Sequence, residues 1–70
     1  MPSDVRFQEV EKMLTSGGYT LQRIRGSHHI FAKSGRFPIS IPVHRGKVKY
    51  GYVERIKTIL AKEQAGEGEN

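Results

Sequence analysis

The chain of 70 residues has no cysteine. Disulfides and thiolate metal sites are therefore excluded as staples, and nothing points to an oxidising compartment. No apolar run approaches the ~20 residues of a membrane span, and the polar N-terminus has no signal-like apolar segment. A cytoplasmic chain with no membrane partner is expected. The length allows one domain with a single modest core. Acidic residues are few and displaced. Of seven, Glu63, Glu67 and Glu69 fall in the last eight residues. Residues 1–62 hold all twelve Lys and Arg against Asp4, Glu9, Glu11 and Glu54, a net of +8. Between 23 and 57 nine basic residues face one acidic residue. Such a surface fits a polyanion, nucleic acid before others.

What is present is organised around Gly26-Ser27-His28-His29-Ile30-Phe31. A Gly-Ser pair between two strand-like runs has the chemistry of a type II′ hairpin turn. The turn predicts Arg25 opposite His28, Ile24 opposite His29, Arg23 opposite Ile30 and Leu21 opposite Ala32. Strand alternation then sends the two adjacent imidazoles to opposite faces. Ahead of this hairpin, Ser3 or Asp4 can cap a helix whose apolar face is Phe7, Val10, Met13 and Leu14. Gly17-Gly18 ends it, one of the two in the left-handed position. Behind the hairpin, a Ser34-Gly35 turn predicts a third strand with Ile39 opposite Ile30 and Ile41 opposite His28. The core face would then be Leu21, Ile30, Ile39, Ile41 and Val43, with Phe31 outside. Pro38 and Pro42 make that strand an edge. His44 to Lys49 reads as a basic loop. A second helix is expected over 51–62, with Val53, Ile56, Ile59 and Leu60 facing inward. The rest, 64–70, has the composition of a disordered acidic tail beyond a single domain of 1–63. The order is α-β-β-β-α, an α+β fold with a three-stranded antiparallel sheet and both helices on one face.

This arrangement resembles the HicA (YcfA-like) toxins of bacterial toxin–antitoxin pairs. The resemblance covers roughly residues 5–62 and is carried by four pieces. These are the helix running into Gly17-Gly18-Tyr19, then Arg25-Gly26-Ser27-His28 followed by Ile30-Phe31, then Ile41-Pro42-Val43-His44, and finally Gly46-Lys47 leading through Gly51 into the second helix. One departure is Tyr52, where a small hydroxyl residue is usual. The resemblance implies an mRNA interferase with a fold like the double-stranded RNA-binding domain and a HicB-type antitoxin as partner. It also implies that the catalytic histidine is the one after the Gly-Ser turn, His28, with His29 as the fallback.

The chemistry of the residues agrees. RNA cleavage without a metal needs a base for the 2′-hydroxyl proton and cations to hold the phosphate. Histidine, with an unperturbed pKa of ~6.5, serves either proton role near neutrality. Arg25, Arg45, Lys47 and Lys49 are the candidate RNA contacts, and His44 is a further candidate for the second acid/base group. Three histidines are also a possible zinc set. The predicted register separates His28 from His29, so no metal and no other cofactor is expected. The reading from a different class is a non-catalytic double-stranded RNA-binding module using the same basic loop and second helix.

Overall fold

A computed structural model describes residues 4–67. Its elements are β1 (Val5–Arg6), α1 (Phe7–Ser16), β2 (Thr20–Arg25), β3 (His28–Ala32), β4 (Ile39–Pro42), β5 (Lys47–Val48) and α2 (Tyr50–Glu67). The three-stranded sheet runs β2-β3-β4, all antiparallel, with α1 and α2 on one face. The expected α-β-β-β-α order therefore stands. The addition is a two-stranded ribbon, β1 with β5, where sequence reading expected the first turn of the helix and a loop.

Helix α1 ends as its glycines dictate. Gly17 is the C-cap, and Gly18 takes φ +95°. The Tyr19 N–H donates to Leu14 O (2.9 Å) and the Gly18 N–H to Thr15 O (3.0 Å), the paired bonds of a Schellman motif. Tyr19 and Leu14, the two residues that this motif brings together, are both buried. Gly17 also lets the helices touch, since a Cβ there would lie 2.6 Å from Leu60 Cδ2. The helix start differs from expectation. The N-cap is Arg6, which makes no side-chain capping bond. Asp4 precedes β1, and Ser3 lies outside the described residues. The first helical N–H, that of Phe7, donates instead to the Gly46 carbonyl at 2.8 Å.

The hairpin register near Gly26 is as predicted: Arg25 pairs with His28, Ile24 with His29 and Arg23 with Ile30. Two irregularities then overturn the expected core face. A bulge between Leu21 and Arg23 brings Leu21 opposite Phe31 instead of Ala32. After the Ser34-Gly35 turn, β4 pairs one residue out of the expected register, Ile39 with Phe31 and Ile41 with His29. Pro38 has no N–H to give the ladder, so pairing resumes only at Ile39, and Phe37 is left 91% exposed. A one-residue slip exchanges the two faces of a strand. Phe31 and Ile41 are consequently core, and Ile30 lies on the bare face. The observed face avoids placing Arg23 and Arg25 under the helices. It also buries the strand's largest apolar side chain, worth roughly 1.5–3 kcal/mol.

Val10, Leu14, Tyr19, Phe31, Ile41, Val48, Val53 and Ile56 make the core. Tyr52, the departure from the resembled family, packs half-buried against it. Helix α2 runs to Glu67, beyond the expected end at Lys62, so the boundary expected at 63/64 falls inside it. Residues 64–67 are thus helical where composition predicted a disordered tail. Ala61, Lys62, Glu63, Gln64 and Ala65 are good helix formers, and Glu63 anchors the segment. Its Oε2 accepts the Tyr19 hydroxyl at 2.6 Å. Lys33 Nζ lies 3.5 Å from its Oε1, and Arg36 Nε lies 3.9 Å from Oε2. Lys33 also donates to the Gly17 carbonyl at 2.8 Å. Burial, and then the bond to Glu63, push the Tyr19 phenol up to about 12. Residues 68–70 lie outside the described residues.

Candidate active site and nucleic-acid interface

Gly26 adopts φ +57° while Ser27 does not, as a type II′ turn requires. That turn starts β3 at His28. A second turn meets the first, because the Val43 N–H donates to Ser27 O at 2.7 Å. One residue on, His44 and Lys47 exchange both backbone bonds at 2.9 Å around Arg45 (φ +53°) and Gly46 (φ +74°). Positive φ at both central positions makes this a type I′ turn. The expected basic loop is therefore a tight hairpin, and it brings His44 to the same end of the sheet as His28 and His29.

The two adjacent histidines have different surroundings. His28 is exposed on the bare face, paired in register with Arg25 on one side and Pro42 on the other. His29 is half-buried on the helix face, with its ring 4.5 Å from the Phe7 ring and tilted by 51°. Its Nδ1 is buried without a hydrogen-bond partner. Phe7 touches Phe31 as well, at 6.2 Å between ring centroids, so the first residue of α1 roofs this end of the core. A base must reach a substrate hydroxyl within hydrogen-bond distance. His28 is open to such contact from the face that no helix covers. Among the described residues no three His, Asp or Glu side chains gather as a metal-ligand set.

The candidate RNA contacts spread over this end. Arg25 closes β2 beside His28. Arg45 is exposed at the tip of the I′ turn, the one non-glycine with positive φ among the described residues. That conformation costs about 1 kcal/mol or more for a residue with a Cβ. Lys47 lies in β5, directly opposite Arg6. Lys49 precedes α2, and its carbonyl receives the Tyr52 N–H at 3.0 Å. Sequence reading missed Arg6 and Phe7 as parts of this end. A signal was present in the complementary dipeptides Val5-Arg6 and Lys47-Val48, but two-residue strands show no periodicity. Phe31, expected on the outer face, is fully buried and offers no stacking surface to a base.

No helix among the described residues is long and apolar enough to cross a membrane. Neither a curated protein nor a solved structure matches the chain significantly. A family model described as the HicA toxin of bacterial toxin-antitoxin matches residues 7–66, from the first residue of α1 almost to the end of α2. That span holds the Gly26 turn, all three histidines and the I′ turn, and the chain belongs to the HicA toxin family of bacterial toxin–antitoxin systems.

Proposed function

We propose that this toxin is a metal-independent endoribonuclease that cleaves mRNA with His28 as the general acid/base. The observation that carries the reading is the placement of His28. It is exposed on the uncovered sheet face beside Arg25, while the adjacent His29 lies under Phe7. In the reaction His28 takes the 2′-hydroxyl proton, and the 2′-oxygen bonds to phosphorus. The bond from phosphorus to the 5′-oxygen breaks, and that oxygen receives a proton from a second group. His44, at the same end, is the candidate for that group, with His29 as the alternate. Arg25, Arg45, Lys47 and Lys49 hold the phosphate backbone, and charge development is met by cations already in place.

An acidic antitoxin of the HicB type is the proposed partner, since complementary potential speeds encounter with so basic a surface. A standard interface covers ~800 Å² per side. We infer that it buries His28 and pairs with some of the same cations, so that RNA and antitoxin compete for one surface. Growth of cells expressing wild type, His28→Ala, His29→Ala or His44→Ala tests the assignment. Arrest by wild type and normal growth with His28→Ala is the expected result. Equal toxicity of wild type and His28→Ala would move the catalytic role to His29 or His44, and equal toxicity of all three variants would leave only the non-catalytic RNA-binding reading.

A further inference from the structure

Three features at the β1–β5 ribbon work against folding. Arg6 and Lys47 are like charges directly opposite one another in the ladder. Arg6 is also the N-cap of α1, where its charge opposes the helix dipole and no side chain caps the helix. Arg45, next along, stands in the left-handed region at the first central position of a I′ turn, a place that favours asparagine or glycine. Among the described residues none of these three cations has an ion-pair partner.

The ribbon is also chemically one-sided. Val48 is fully buried and Val5 is packed on the core, so its outward side carries Arg6 and Lys47 with Arg45 at the adjoining turn. A protein interface needs apolar or aromatic anchors at its centre. A phosphate backbone needs cations alone. Locally unfavourable choices that persist together mark function.

We propose that Arg6, which no motif singled out, joins Arg45 and Lys47 in one RNA-phosphate seat, and that this seat is kept against the stability of the fold. The proposal rests on RNA being the toxin's substrate, as read above. It predicts an unusual pairing of effects: substitutions here strengthen the fold and weaken RNA binding. Arg6→Ser supplies an N-cap with Glu9 already at the third helical position, completing a capping box. The backbone at Arg6, φ −61° and ψ 136°, already suits a cap. Arg45→Asn supplies the preferred turn residue before Gly46.

The test uses full-length protein carrying His28→Ala, so that RNA is retained uncut, and measures melting temperature, single-stranded RNA affinity and its salt dependence. Each substitution should raise the melting temperature by about 4–8 °C. The pair should weaken RNA binding tenfold or more at physiological salt and flatten the log–log salt slope by about 0.7 per lost phosphate contact. Arg6→Lys should keep both affinity and slope. A stabilised double variant with unchanged affinity and slope overturns the proposal, as does a lowered melting temperature. Weakened antitoxin binding with intact RNA binding would assign the seat to the partner protein and overturn it too. Failure of the ribonuclease reading is seen separately, as wild type that leaves RNA uncut, whatever these variants bind.

Discussion

The two ends of this small sheet carry the same kinds of residue under opposite terms. At the end where β3 leaves the sheet, Lys33 and Arg36 converge on Glu63, which also takes the Tyr19 hydroxyl. Each charge there has an opposite, and together they fasten α2 to the sheet. At the end where β3 begins, Arg6, Arg25, Arg45 and Lys47 stand without an ion-pair partner among the described residues, around an exposed His28. A compensated charge cluster adds to the fold. The uncompensated one, on a tight turn, carries the cations proposed as RNA contacts. The lesson is that net charge alone says little, while the pairing of each charge separates structure from site.

Crossed substitutions would break that comparison most sharply. His28→Ala should lower cleavage by about 10²–10⁴-fold, the usual worth of a general acid or base. Its melting temperature should stay within a few degrees of wild type, because the side chain is exposed. Parallel turnover and thermal-melt measurements decide it, and a large melting shift would move His28 into the structural class. Glu63→Ala should do the reverse. It leaves the Tyr19 hydroxyl and Lys33 without their carboxylate, which costs about 2–4 kcal/mol. The melting temperature should fall by roughly 10–20 °C for a domain of this size. Cleavage at a temperature where the variant is folded should be unchanged, and loss of turnover there would join the two ends functionally.

Smaller effects sharpen the contrast. Reversing Lys47 and Lys49 to Glu should weaken RNA binding and flatten its salt dependence, since fewer counterions are released. Titrating affinity against salt checks this, and an unchanged slope would place the binding surface elsewhere. The smallest effect is on pH. The folded Tyr19 phenol is pushed up to about 12 from an ordinary 10, so the folded state holds its proton where the unfolded chain releases it. Stability from this group is present below pH 10 and is lost as pH rises toward 12. Alkaline melts of wild type should therefore steepen over that window relative to Tyr19→Phe, and parallel curves would contradict the assignment.

Legibility in the sequence followed the range of the interactions. Gly26-Ser27 announced a II′ turn, and the three pairs nearest it came out in register because a two-residue loop dictates them. Gly17-Gly18 announced a left-handed cap for the same local reason, and Gly18 is the one that takes it. Errors entered where one residue of slack could accumulate. The Gln22 bulge and the delayed pairing after Pro38 each displaced a strand by one residue. Phe31 thereby moved from the outer face to the centre of the core. His28 and Arg25 were legible as neighbours, whereas Arg6 was not, because its partner Lys47 is 41 residues away along the chain.

By itself the sequence determined the helix faces, the α-β-β-β-α order, the hairpin that separates His28 from His29, and the basic bias of residues 23–57. Each depends on residues within a turn or two of one another, where steric preference and periodicity act alone. Only the tertiary structure decided which face of the sheet is buried. That choice weighs the apolar area of Phe31, Ile39 and Ile41 against the desolvation of Arg23 and Arg25. It alone also decided that Glu63 is an anchor within α2 and that Arg6 stands beside Lys47. Both are contacts between distant segments, and their energies exist only once the chain has closed upon itself.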